Sequence, residues 1–277
     1  MRRSGTQMSE FVPDGPEETL ADLFAETDGT VYLTNADATD VERLVAAARD
    51  YEGDLPEVRV LGVGEELRKV RRDFLVASRA ADLIDDDALA LREREPTQNT
   101  TVFVTASSVY VPVQIDGADG TAITRADGFV TDAYEWAEHG WENAERFSLR
   151  TPPLSAVRET MDTEFAPEAR GDFDRVLDTA AGARDTSELD EVMASLLVAA
   201  KHELLHYDLS KWGEDLGLAS KATFSRKKGN LEEMGVITTE KETLEMGRPR
   251  QRLVFTDDYR EQVEQNGLSN LVANVVY

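Results

Sequence analysis

Residues 201–235, KHELLHYDLSKWGEDLGLASKATFSRKKGNLEEMG, support two incompatible readings. The stretch begins with H-E-x-x-H at His202, Glu203 and His206. On one continuous helix the two imidazoles would lie a turn apart and hold zinc, with Glu203 as general base. The remainder reads as helix, turn, helix. Ser210 stands where an N-cap belongs, KWGEDLG follows, and Gly217 closes it. Ser220 caps a further helix, KATFSRKKGNLEEMG, which Gly235 ends.

The flanking residues favour the second reading. Upstream, Ser187 with Asp190 resembles a capping box opening a long helix to about Tyr207. Met193, Leu197, Ala200 and Leu204 form an apolar stripe at about 100° per residue, with His202 and His206 roughly opposite it. Downstream, VITTEKETL (236–244) and QRLVFT (251–256) read as strands around EMGRPR. Helix, helix, turn, helix and then a β-ribbon is the order of a winged helix-turn-helix. The zinc reading lacks a third ligand. YDLSKW after His206 departs from the metzincin continuation, His139 is the one other histidine, and Glu232 sits where the last helix ends. No catalytic residue, metal or cofactor is assigned.

The third helix has the chemistry of a DNA reader. Its early residues enter the major groove in this fold. Here they include Ser220, Lys221, Thr223, Ser225, Arg226 and Lys227. Hydroxyls and Lys hold phosphates, and Arg also reads guanine bidentately. Ala222, Phe224, Leu231 and Met234 are left to pack inward. At the ribbon tip Arg248 and Arg250 flank Pro249, with Arg252 following, a wing suited to the backbone or minor groove. Lys228 falls where many winged helices carry an apolar core residue.

Composition agrees. The 277-residue chain has a net charge of -25 and no cysteine, which excludes disulfides and thiolate zinc and fits a reducing compartment. Residues 201–277 carry 11 basic and 13 acidic side chains, whereas residues 1–200 carry 19 against 42. Within 221–252 the count is 8 basic to 5 acidic, so one surface is kept near neutral or positive. An acid-rich chain with 7 Lys beside 23 Arg suits a haloarchaeal cytoplasm, where molar salt screens repulsion. No run approaches the ~18 apolar residues of a membrane span. Apolar residues at 41%, in periodic blocks, exclude a disordered chain.

The first half alternates strands and helices. EETLADLFAE (17–26) reads as a helix and TVYLTN (30–35) as a strand. DATDVERLVAAARD (37–50) reads as a helix capped by Thr39 or Asp40, and EVRVLGV (57–63) as a strand. Residues 64–93 read as helical with a break near Asp85–Asp87. Residues 100–125 hold two or three strands with a turn at DGADG, and 126–147 a helix carrying Tyr134, Trp136, Trp141 and Phe147. This alternation implies an α/β domain with a partly parallel sheet. LGVGEEL (61–67) is read as a tight strand-to-helix turn, since a lone G-x-G is weak evidence for a dinucleotide. The four aromatics are read first as core or dimer seam, then as a ligand pocket.

The segment DLGLASKATFSRKKGNLEEMGVI…GRPRQRL resembles the winged helix of archaeal transcriptional regulators. Joined to an acidic α/β half, it is similar to the haloarchaeal regulators of the TbsP type, which act beside the sugar-responsive regulator TrmB. The motifs that carry the resemblance span about 187–256. It implies transcriptional control of metabolic genes, with Ser220, Lys221, Thr223, Ser225, Arg226 and Lys227 on the recognition helix and Arg248 and Arg250 on the wing. The α/β half also has a layout like phospholipase-D-like sensor domains, but their catalytic H-x-K is absent.

The expected architecture is an α/β N-terminal domain followed by a C-terminal winged helix-turn-helix domain. Residues 1–16 are expected as a tail, 17–150 as a sensor or dimerisation domain, 151–186 as a helical connector and 187–277 as the DNA-binding domain. The expected function is a cytoplasmic, sequence-specific regulator of metabolic, glucose-responsive genes in a halophilic archaeon. It would bind double-stranded promoter DNA as a homodimer, with a small-molecule effector in the α/β domain and no membrane. The competing expectations are a zinc peptidase through HELLH and a winged helix that docks protein.

Overall fold

The computed structural model describes residues 9–12, 16–95, 100–116, 118–181, 190–242 and 250–275. They fall into two compact units, Met1–Arg150 and Thr151–Tyr277. No helix among the described residues is long and apolar enough to cross a membrane.

In the first unit the elements run β1 (Ser9–Val12), α1 (Pro16–Glu26), β2 (Thr30–Ala36), α2 (Ala38–Asp50), β3 (Glu57–Gly62), α3 (Gly64–Arg72), α4 (Phe74–Asp85), β4 (Leu89–Glu93), β5 (Val102–Val104), β6 (Val109–Ile115), β7 (Ala118–Thr124), α5 (Asp127–Glu142) and β8 (Glu145–Arg146). The eight strands form one mixed sheet in the order β1-β7-β6-β5-β2-β3-β4-β8. Strands β2, β3 and β4 are parallel, joined through α2 and through α3 and α4. The rest of the sheet is antiparallel.

Alternation along the strands separates two apolar layers. Val31, Leu33, Val58, Val60, Leu89 and Leu91 pack beneath α1–α4. Tyr32, Leu61 and Val104 face the other way, against Val130, Ala137 and Trp141 of α5. The α5 side is tied by arginines. Arg92 lies 4.5 Å from the Trp141 ring centre and donates to the Trp141 carbonyl at 2.7 Å. Arg59 lies 5.6 Å from that ring and donates to the Tyr32 hydroxyl at 3.1 Å. Tyr134 meets Tyr32 edge-on at 5.3 Å. Of the four aromatics, Trp141 and Tyr134 belong to this core, Phe147 packs against the opposite layer, and Trp136 is exposed.

Four details depart from expectation. Residues 9–12, expected in the tail, pair with β7 as β1. Asp37 caps α2, in a capping box with Asp40. The helix expected over 64–93 breaks at Asp73, whose side chain caps α4 by accepting from the Val76 amide at 3.0 Å. After a left-handed turn at Asp87, LALRE then becomes β4 beside β3. Its residues favour helix, but an open sheet edge with Leu89 and Leu91 turned to the core outweighs that preference.

The second unit comprises α6 (Leu154–Glu164), α7 (Pro167–Ala181), α8 (Glu191–Lys201), α9 (His206–Asp215), α10 (Lys221–Glu233), β9 (Ile237–Glu242), β10 (Arg250–Phe255), α11 (Asp257–Asn266) and α12 (Leu268–Val275). Helix α8 is its axis, with every residue from Val192 to Ala200 buried. A helix apolar on all sides needs cover on all sides. That cover comes from α7, α9, α10, α12 and β10. The segment expected as a connector thus supplies α6 and α7, packed within this unit. Trp212 of α9 is fixed to α6 by an Nε1–H bond to Thr160 Oγ1 at 2.9 Å, and meets Phe165 edge-on at 5.5 Å.

Helix α8 starts later than expected. Asp190 is its N-cap, accepting from the Met193 amide at 2.9 Å, and the expected Ser187 cap lies outside the described residues. At the far end, the buried Asp172 of α7 accepts from Lys201 at 2.7 Å, from His202 Nε2 at 2.7 Å and from Arg175. Burial opposes ionisation of Asp172, but bonds from Lys201 and His202 and the charge of Arg175 outweigh it and hold the carboxyl below its usual value.

Two substitutions test this packing. Gly213 of α9 lies under Phe224, and a Cβ there would stand 2.3 Å from the ring. Since Phe224 is fully buried, Gly213→Ala is expected to destabilise the unit by about 1–3 kcal/mol in denaturant unfolding. Asp172→Asn should cost about 1–3 kcal/mol at neutral pH by weakening a buried charged hydrogen-bond set. The folded carboxyl is the stronger acid. Its contribution is therefore complete above the unfolded-state pKa of about 3.9 and is lost as pH falls through the lower folded value. Unfolding curves of wild type and Asp172→Asn should converge in acid.

Candidate nucleic-acid interface

HELLH does not lie on one helix. His202 is the C-cap of α8, and Glu203 takes a left-handed conformation with φ 54°. The Leu204 amide returns to the Ala199 carbonyl at 2.9 Å, closing the helix as a Schellman turn does. Leu205 bridges Arg252, and the Leu253 amide donates to the Leu204 carbonyl at 2.9 Å. Arg252 also donates to the Glu203 carbonyl at 2.7 Å. His206 then opens α9. Between the two histidines the chain thus turns at Glu203 and makes a single antiparallel bridge, at Leu205, to the wing strand β10.

The one-helix premise of the zinc motif fails, and so does the expectation of a helix continuing to Tyr207 with both histidines on its outer side. His202 is bound to Asp172. Burial, with the charge of Lys228, keeps His206 below its usual pKa. Among the described residues no group of three His, Cys, Asp or Glu side chains could hold a metal. Ser210, expected as a cap, is buried inside α9, where its hydroxyl donates to the Tyr207 carbonyl at 3.1 Å.

The turn and the second helix of the motif follow the sequence closely. Gly217 has φ 81°, and the Leu218 amide bonds the Gly213 carbonyl at 2.8 Å. Ser220 caps α10 by accepting from the Thr223 amide at 3.2 Å. Gly235, at φ 73°, ends it. Strands β9 and β10 pair from Ile237↔Phe255 to Glu242↔Arg250. Residues 243–249, with Arg248 among them, lie outside the described residues.

Helix α10 buries Phe224 and Leu231. Opposite them, Ala222, Ser225 and Arg226 are exposed, with Gly229 half-buried on the same side. Ala222 and Met234, expected inward, are exposed instead. Ala222 lies about 180° from Leu231 and about 160° from Phe224 at 100° per residue, and Met234 is already the C-cap. The outward ridge is one of small residues with one long cation, which lets a helix backbone approach a surface closely.

The remaining cations are held by carboxylates. Lys221 pairs with Glu214 at 2.7 Å, and the Lys221 backbone amide also donates to Glu214 at 3.3 Å. The bond to Glu214 raises the Lys221 pKa, and the bond to Lys221 lowers that of Glu214. Lys227 reaches Asp190 at 2.6 Å and Lys228 reaches Glu232 at 3.0 Å, both largely buried along the core stripe. At the wing, Arg250 bonds Asp208 at 3.1 Å and lies 5.1 Å from the Tyr207 ring centre. Arg252 bonds Glu242 at 2.7 Å. Among the described cations of α10, Arg226 is the one without an ion pair.

The structure brings Ser220, Lys221, Thr223, Ser225 and Arg226 together around the start and outer face of α10. It turns Lys227 to the core margin and places Arg250 at the loop end of the ribbon, opposite Glu242, and Arg252 in mid-ribbon, opposite Glu240. Sequence reasoning missed the carboxylates Glu214, Asp208, Asp190 and Glu242 and the ring of Tyr207. Helical spacing does not reveal such pairs, because each joins two different elements.

Models of known families match both halves of the chain. Residues 8–152 match the N-terminal domain of TbsP-like transcriptional regulators, and residues 153–274 match their C-terminal HTH domain. No curated protein matches the chain. Among solved structures, TrmBL2, described as an archaeal chromatin protein with a novel mode of DNA binding, is 13% identical with a TM-score of 0.35. That match covers 52% of this chain and 56% of TrmBL2, little more than half its length. Nuc from Salmonella typhimurium, a phospholipase D family member, is 11% identical with a TM-score of 0.34, over 50% of this chain and 95% of Nuc. NucT from Helicobacter pylori is 9% identical with a TM-score of 0.34, over 50% and 98% respectively. With both halves matched in that order, the chain belongs to the TbsP-like transcriptional regulators.

Proposed function

We propose that this regulator binds promoter DNA through the outer face of α10 and the wing. The observation that carries the reading is the exposed ridge Ala222–Ser225–Arg226, bounded by the Ser220-capped helix start and by Arg250. The small residues admit the helix to the major groove, and Arg226 reaches a base edge. Ser220, Lys221 and Thr223 meet phosphates at the helix N-terminus, where backbone amides and helix dipole favour anions. Arg250 and Arg252, with Arg248, serve the backbone beside the wing.

Glu214 and Asp208 hold Lys221 and Arg250 in place before DNA arrives. Phosphates then exchange for these carboxylates. In a chain of net charge -25 such internal pairing limits non-specific attraction to nucleic acid, and high salt weakens both the pairing and its phosphate replacement. The wider reading is a cytoplasmic regulator of metabolic, glucose-responsive genes in a halophilic archaeon. It acts as a homodimer, because one short helix reads too few bases and two half-sites supply the rest.

Mobility shifts on upstream DNA at high KCl test the interface. Arg226→Ala is expected to weaken specific binding by about 1–3 kcal/mol, roughly fivefold to 150-fold, and to relax preference at one base position. Unchanged binding by Arg226→Ala combined with Arg250→Ala would remove the assigned site, and a wild-type chain that shifts no upstream region would remove the function. Glu214→Gln should do the opposite of the arginine variants, tightening binding several-fold at moderate salt through release of Lys221. Mapping of bound promoters with and without glucose reads the metabolic assignment.

A further inference from the structure

The second unit contains a cleft of about 410 Å³ between the C-terminal end of α8, β10 and α11. That is the volume of a small-molecule site. Val254, Phe255 and Val263 give it an apolar wall, each at most 9% exposed. Arg260, Glu203 and Glu264, all solvent-exposed, bring charge to its rim. Arg260 donates to the Phe255 carbonyl at 3.4 Å and has no carboxylate partner among the described residues. Glu264, one turn further along α11, and the Glu203 carboxylate also make no ion pair there. Lys201 lines the same cleft, but its ammonium is held by Asp172 at 2.7 Å.

An apolar wall beside one guanidinium and two carboxylates, solvated and not ion-paired within the described protein, favours some ligands over others. A second negative charge is repelled by Glu203 and Glu264. A neutral sugar forms no ion pair with the three charges, which water already solvates, and gains little from the apolar wall. A molecule with one carboxylate, one ammonium and an apolar body satisfies every group. We propose that this cleft is an effector site for an apolar α-amino acid, with its carboxylate on Arg260 and its ammonium facing Glu203 and Glu264.

The site lies in the DNA-binding unit, whereas α/β logic points to strand ends in the first half. Its floor is strand β10 of the wing ribbon. Glu203 is the left-handed residue whose carbonyl accepts from Arg252, so a ligand drawn onto Glu203 acts on the bridge that seats the wing. Occupancy is independent of DNA binding, and only its effect on the wing rests on the DNA-binding reading.

Calorimetric titration of the full chain at high KCl, without DNA, tests occupancy with L-leucine, L-phenylalanine, succinate and glucose as probes. Saturable binding of an apolar amino acid is expected, weakened about tenfold or more by Arg260→Gln, the loss of a charged hydrogen bond. Glu264→Gln is expected to weaken it as well and provides a second reading if the arginine variant unfolds. No saturable binding of either amino acid, affinity unaltered in both variants, or tighter binding of succinate or glucose overturns the proposal. A mobility shift with and without the bound amino acid then reads the wing separately, so loss of DNA binding alone leaves the site standing.

Discussion

Helix α8 has no side that can face water. From Val192 to Ala200 every residue is buried, and the second unit is arranged to cover them. The helix-turn-helix covers part and the wing strand β10 another. The rest falls to α7 and α12, so helices on either side of the motif in sequence close around it. Both ends of α8 are fixed by polar contacts that reach other elements. Asp190 caps its start and accepts Lys227 of α10. Asp172 of α7 gathers Lys201 and His202 at its end. The position of α10 is therefore set by the same core that fixes α8.

Charge is handled as tightly as burial. Several of the described cations of α10 and β10 in this strongly acidic protein have fixed carboxylate partners. They are matched locally, Lys221 with Glu214 and Arg250 with Asp208, at a surface where these pairs are half-exposed and replaceable. Deeper pairs, Lys227 with Asp190 and Lys228 with Glu232, serve the helix packing instead. One basic run, Arg226–Lys227–Lys228, thus divides into one outward cation and two structural ones. The division follows from helical angle, since Phe224 and Leu231 define the core stripe and the lysines flank it.

HELLH shows how a local match misleads. The motif demands an unbroken helix, but α8 has nothing left to bury beyond Ala200, and His202 is better bonded to Asp172 than pointing outward. Glu203 accepts a left-handed conformation that costs roughly 1–2 kcal/mol in a residue with a side chain. Two hydrogen bonds to the wing, from Leu253 to Leu204 and from Arg252 to Glu203, accompany that turn. A helical stripe through Leu204 looked continuous in the sequence because the residues suit helix. The competing partner, β10, lies some fifty residues away.

The sequence by itself determined the α/β half, the order of α8, α9, α10 and the ribbon, and the limits of α10. Those features are encoded locally, in the Ser220 cap, the glycines at 217 and 235, and the periods of apolar residues. Tertiary structure decided which strong helix formers become strands, as in β4, and where α8 stops. It also decided which cations remain available and where a cleft opens beside the wing. These outcomes depend on pairs such as Asp172 with His202 or Asp208 with Arg250, whose partners are distant in the chain and are brought together when the core closes.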